Sequence, residues 1–164
     1  MSAPGADDVD RIVAAWRRQA PGLDVAPLEV LSRVSRLSRR LDLARKAAFA
    51  GHLLEPWEFD VMSALRRVGE PYELSPGALV TETLSTSGTM TNRIDRLTQR
   101  GFVARRPDPA DRRGIKVRLT PAGLERVDAA MAELLDRESA LLSVLPDDDR
   151  DRLADLLRRL LAGF

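Results

Sequence analysis

A mainly α fold with a small β-wing is what this 164-residue sequence predicts, on three local signals between residues 74 and 120. Ser75-Pro76 places a good N-cap before a proline at the first helical position. Ser85 or Thr86 can cap a following helix, and Gly101 comes after its last turn, where a left-handed residue commonly ends helices. Residues 102–106 and 115–119 then flank a loop built from Pro107, Pro109 and Gly114. The second flank alternates as a half-buried strand does, with Ile115, Val117 and Leu119 on one side and Lys116 and Arg118 on the other. Helix, helix, then a hairpin with a basic tip is the order of a winged helix-turn-helix. Such a unit lays one helix in a DNA major groove and a β-loop in the groove beside it.

Helices are expected on both sides of that unit. Val9, Ile12, Val13 and Trp16 recur at i, i+3, i+4 and i+7, an amphipathic helix over residues 8–19 that stops before Pro21-Gly22. Leu31, Val34, Leu37, Leu41, Ala44 and Ala48 form a stripe through a helix of about residues 28–50, whose other faces carry arginines. Thr120-Pro121 caps a long helix to about Ser143, and Pro146 with Asp147, Asp148 and Asp149 starts another, the acids suiting the positive end of its dipole. Leu153, Leu156, Leu157, Leu160 and Leu161 give that last helix one apolar face. A winged unit offers these stripes little to cover, so they are read as dimer surface. The expected division is an N-terminal extra helix and dimerisation helix (1–50), a DNA-binding domain (51–120) and C-terminal dimerisation helices (121–164). A homodimer also lets two recognition helices reach successive major grooves, ~34–36 Å apart.

Charge supports DNA locally rather than globally. The whole chain carries 26 basic against 25 acidic residues, which implies no nucleic-acid partner. Residues 86–118 hold nine Arg or Lys against three Asp, a local net charge of +6, and a basic patch on one subregion is the footprint of a phosphate-facing surface. The absence of cysteine excludes disulfides, thiolate zinc sites and thiol redox sensing. No apolar run approaches the ~20 residues of a membrane span. The acidic N-terminus MSAPGADDVD lacks the basic start of a signal peptide, so a cytoplasmic protein is expected.

Angular spacing assigns the faces of the second helix. At ~100° per residue, Met90, Ile94 and Leu97 point inward, while Gly88, Asn92 and Arg96 point away with Thr89 and Thr91 on the shoulders. Asn can pair with adenine, Thr can meet the thymine methyl, and Gly88 admits a close backbone approach. Ser87, Gly88, Thr89, Thr91, Asn92 and Arg96 are thus the candidate DNA-facing residues of the helix. Arg96 and Arg100 are placed for phosphates. Arg93 leans toward the apolar face and must find a carboxylate or a ligand there, because an unpaired buried charge is costly. In the wing, DPADRRG presents Arg112 and Arg113 at a tight turn, suited to a narrow minor groove, with Asp111 able to hold Arg113 extended.

From about Trp57 to Gly123 the sequence resembles the multiple antibiotic resistance regulator (MarR) family of dimeric bacterial transcription factors. The residues that carry the resemblance are SGTMTNRIDRL (87–97), GFVARRPDPADRRG (101–114) and LTPAG (119–123). It implies a repressor, or sometimes an activator, that binds a pseudo-palindromic operator and lets go when a small molecule enters. A narrower resemblance is to the branch that responds to urate, which has an extra N-terminal helix bearing a Trp and uses an Asp and two Arg for its ligand. On that resemblance Trp16, Asp60, Arg93 and Arg105 form the ligand set. Urate is a planar anion, which suits guanidinium forks and an aromatic wall, and Asp60 could hold Arg93 or Arg105 in its absence.

Enzymes compete poorly. His52 is the single histidine, which removes histidine triads and metal pairs, and it is expected to act as a helix cap or hinge. The glycines form neither GxxxxGK[ST] nor GxGxxG, and Ser87-Gly88 belongs to no GxSxG elbow. No cofactor or metal is expected. The alternatives kept are the same fold answering to a phenolic or aromatic carboxylate, and a ligand-independent architectural DNA-binding protein.

Overall fold

A computed structural model describes residues 5–109 and 111–163, with backbone alone at positions 112 and 113. The chain forms two compact units, 1–43 and 44–164. The described residues give seven helices and three strands: α1 (Asp8–Gln19), α2 (Ala26–Gly51), α3 (Pro56–Arg67), β1 (Glu73–Leu74), α4 (Pro76–Glu82), α5 (Ser87–Gln99), β2 (Val103–Asp108), β3 (Asp111–Leu119), α6 (Pro121–Leu142) and α7 (Asp147–Leu161).

In the N-terminal unit, Asp7 caps α1 by accepting from the backbone N–H of Val9 (2.8 Å) and Asp10 (3.1 Å), and Asp10 reaches back to the Asp7 N–H. Val9 and Val13 are buried with Val25 and Leu28 against them. Arg33 of α2 closes the pair of helices, donating to Asp7 Oδ2 at 2.9 Å and to Asp10 Oδ1 at 2.8 Å. The Arg33 guanidinium holds the Asp7 carboxyl well below the usual range, from 3.8 to about 2, helped by the two capping N–H groups. Ile12 and Trp16, in the same stripe, stay exposed.

The second unit is built on a core of Phe49, Phe59, Met62, Leu65, Leu79, Met90, Ile94, Leu97, Val117 and Val127, with the Phe49 and Phe59 rings stacked at 4.2 Å. Local chemistry sets its element starts as expected. Ser75 accepts from Ala78 N–H, Thr86 from Thr89 N–H and Thr120 from Gly123 N–H, and Pro76 and Pro121 open α4 and α6. Gly101 ends the turn after α5 at φ +74°. Gly123 is required by close approach, since a Cβ there would lie 2.1 Å from the Phe102 carbonyl oxygen.

The sheet departs from expectation in two ways. It has a third strand, β1, which pairs antiparallel with β3 (Glu73 opposite Arg118, Leu74 opposite Val117) in the order β1-β3-β2. Two residues carry no periodicity, so this strand exists only because β3 offers it an edge. The hairpin also runs further toward its tip: Pro107 lies opposite Ile115 and Gly114 lies within β3, with a register shift at Pro107/Asp108. β2 is an edge strand, where the N–H that proline lacks need not serve an interior ladder.

Candidate functional site

Helix α5 presents two chemically different sides. Met90, Ile94 and Leu97 are buried, as the spacing predicts, and they fix the rotation of the helix. Ser87, Gly88, Thr89, Thr91, Asn92 and Arg96 are all exposed. Thr91 Oγ1 donates to Ser87 O and Thr86 Oγ1 to Thr89 Oγ1, so two hydroxyls at the N-terminal end are pre-set by short-range bonds. A Cβ at Gly88 would meet nothing within 4 Å, which leaves the backbone open to a close partner. The candidate wing residues Arg112 and Arg113 have strand backbone, and their side chains, with the Asp111–Arg113 pairing, lie outside the described residues.

Along its flank α5 carries Arg93 and Arg96, with Arg100 at its C-cap, and the first turn of α3 receives all three. The Trp57 ring lies under two guanidinium groups, its centroid 4.8 Å from Arg96 Cζ and 5.6 Å from Arg93 Cζ. Arg100 Nη1 donates to Glu58 Oε2 at 2.5 Å and Nη2 to Leu53 O at 2.7 Å. Glu58 is 1% exposed. This corrects the expectation that Arg100 faces phosphate: a buried carboxylate holds it, and it also covers the Phe102 ring at 4.7 Å.

The four residues expected to hold a ligand are distributed as follows. Arg93 is half-buried, with an aromatic neighbour and no carboxylate partner among the described residues. Arg105, on β2, pairs with Asp95 of α5 at 2.5 Å. Asp60 is exposed and has no ion pair among the described residues, so the expected Asp60–arginine pairing is replaced by Asp95–Arg105. The reason is strand direction: Arg105 shares a face of β2 with buried Val103, and that face looks at α5. Trp16 is 48% exposed on α1, in the N-terminal unit. A separate cleft of about 550 Å³, lined by Tyr72, Arg106, Arg118 and Leu124 among others, includes none of the four.

Residues 54–114, from the end of the α2–α3 loop to the hairpin, match the model of the MarR family. The HTH-type transcriptional regulator PecS of Dickeya dadantii is 36% identical over 152 residues, 93% of this chain and 92% of that protein. The chain belongs to the MarR family. The HTH-type transcriptional repressor YetL of Bacillus subtilis is 28% identical, over 84% of both chains. A solved structure of Bordetella bronchiseptica BpsR, whose DNA binding is regulated by 6-hydroxynicotinic acid, is 30% identical with a TM-score of 0.60, over 77% of this chain and 91% of that one. The protein is accordingly a DNA-binding transcriptional regulator and not an enzyme. Among the described residues no group of three or more His, Cys, Asp or Glu is set to hold a metal, and no helix is long and apolar enough to cross a membrane.

Two contributors to this MarR-family site escaped sequence reasoning, Trp57 and Glu58. Helix spacing sets Arg93 toward the apolar face and Arg96 away from it, but nothing local says which residues 36 to 42 positions away receive Arg93, Arg96 and Arg100. His52 is more than a cap: its Nε2 lies 3.0 Å from Glu133 Oε2, and its carbonyl accepts from Arg126. Hydrogen bonding from Arg137 first, and then from His52, draws the Glu133 carboxyl below its usual range.

Proposed function

We propose that this MarR-family regulator is a cytoplasmic homodimer that represses by binding a pseudo-palindromic operator and is released by a small planar organic anion, urate foremost. The observation that carries the effector reading is Arg93. It sits on the DNA-reading helix, half-buried against an aromatic ring, with no carboxylate partner among the described residues. A partly desolvated guanidinium of that kind favours an incoming anion, and pairing there acts on α5 directly. The resemblance adds Asp60, Arg105 and Trp16 to the response.

Dimerisation is supported by apolar side chains that this single chain leaves uncovered. On α2, Leu31, Val34 and Leu37 are exposed; on α7, Leu156, Leu157, Leu160 and Leu161 are exposed and no residue is buried. Exposed apolar stripes of this extent mark an association surface, and two-fold symmetry matches a palindromic operator. The helices outside residues 51–120 serve that association. Ser87, Gly88, Thr89, Thr91 and Asn92 read bases, while Arg96 and the wing arginines Arg112 and Arg113 meet the backbone and minor groove.

The experiment is a gel-shift and calorimetric titration with urate on the wild type, Trp16→Ala and Asp60→Ala. Urate should bind and release wild-type protein from the operator, and the two variants should keep operator affinity with a blunted response. A second reading, release by a hydroxylated aromatic carboxylate, is favoured by the similarity to BpsR. Release by such an acid with no heat from urate selects it, and failure of both overturns the effector reading.

A further inference from the structure

Trp57 meets one arginine of each proposed site. Arg93 belongs to the proposed effector set and Arg96 to the DNA face, and both guanidinium carbons lie within 6 Å of the same indole centroid, at 5.6 and 4.8 Å. Trp57 itself is half-buried on α3, packed at the margin of the core, so the ring is a fixed platform. The two cations differ in surroundings: Arg96 is exposed and free to swing toward a phosphate, whereas Arg93 is half-buried.

We infer that Trp57 is a positioning residue that couples effector occupancy to operator binding by holding Arg96 back from the DNA when Arg93 is neutralised. The inference rests on the effector reading above and names how that site regulates. Each guanidinium is drawn to the negative face of the indole, and the two like charges repel, neither having a carboxylate partner among the described residues. With Arg93 unneutralised, that repulsion favours departure of Arg96 from the ring to a phosphate. An anion paired to Arg93 removes the repulsion, and Arg96 then keeps its place on the ring. Occupancy of Arg93 thus favours the ring-bound, DNA-poor arrangement of Arg96. Because linkage is reciprocal, operator binding must weaken the effector by the same factor.

The test compares wild type with Trp57→Phe, which keeps an aromatic face, and Trp57→Leu, which keeps apolar packing but has no face for a cation. The measured quantity is the ratio of operator Kd with and without saturating urate, or salicylate if urate does not bind, with thermal melting to establish that each variant is folded. The coupling should survive in Trp57→Phe and fall to within about twofold of unity in Trp57→Leu, each variant being measured at an effector concentration that saturates it. Equal effector release of wild type and folded Trp57→Leu overturns the coupling and leaves the effector reading intact. Absence of any effector response in the wild type overturns both. A second measurement needs no effector. In Trp16→Phe protein the only remaining tryptophan is Trp57, and saturating operator should change its emission as Arg96 leaves the ring. The change should be lost in the added Arg96→Gln background, and emission indifferent to operator overturns the inference.

Discussion

Replacing Arg100 by alanine should destabilise the protein substantially while leaving its salt-dependent attraction to DNA almost unchanged. The carboxylate of Glu58 is 1% exposed, and its Oε2 accepts from Arg100 Nη1 at 2.5 Å and from the Glu55 backbone N–H at 2.9 Å. Its Oε1 has no hydrogen-bond partner among the described residues, so Arg100 is the main neutraliser of a buried negative group. Stranding one partner of a buried pair costs about 3–5 kcal/mol. The Arg100 side chain is 34% exposed, which admits solvent screening and lowers the expected loss to about 2–3 kcal/mol. The lost bond to Leu53 O and the uncovered Phe102 ring act in the same direction. For a chain of this size that corresponds to a fall in Tm of about 4–12 °C. Urea denaturation should report the loss, and Glu58→Gln combined with Arg100→Ala should recover part of it because the stranded charge is gone. Operator binding across a salt series should keep its slope. A slope lower by about one unit, with the urea midpoint unmoved, would refute the ion-pair account and return Arg100 to the DNA backbone.

Other outcomes follow from the same geometry. Gly123→Ala should cost about 1–3 kcal/mol by overpacking, because its Cβ would sit 2.1 Å from Phe102 O. Gly88→Ala, with open space around it, should instead gain up to ~1 kcal/mol of helix stability and lose operator affinity; denaturation and binding curves on the same samples separate the two. The Asp7 carboxyl titrates near 2 when folded and at 3.8 when free, so its contribution is complete above about pH 4 and is lost as pH falls toward 2. Carbon-detected NMR titration of Asp7 should show the depressed midpoint, and Arg33→Gln should raise it. Leu156→Glu with Leu160→Glu changes side chains that are exposed in the single chain, so helicity should persist while light scattering shows monomers; an unchanged dimer would place the interface elsewhere.

What could be read from the sequence was local. Caps at Ser75, Thr86 and Thr120 lie within three residues of the N–H groups they satisfy, and the inward face Met90, Ile94 and Leu97 follows from helix periodicity within one turn or two. The exposed set Ser87, Gly88, Thr89, Thr91, Asn92 and Arg96 follows from the same rotation. What escaped was contact between distant positions. The two-residue strand β1 has no pattern of its own and is defined by β3, some 40 residues on. Pro107 looked like a loop residue because the ladder around it was unknown.

By itself, then, the sequence determined the helix-helix-hairpin order of residues 74–120, the helices flanking it at both ends, the buried side of α5 and the concentration of positive charge on residues 86–118, since each depends on neighbours a few residues apart. Only the tertiary structure decided what each arginine does. Arg93, Arg96, Arg100 and Arg105 are chemically the same and lie within thirteen consecutive positions. Trp57, Glu58 and Asp95 divide them between an aromatic platform, a buried carboxylate and a surface ion pair. A guanidinium takes its role from the dielectric and the partner it meets, and for the row on α5 that partner is α3, brought there by a core that joins residues from Ala48 to Leu134.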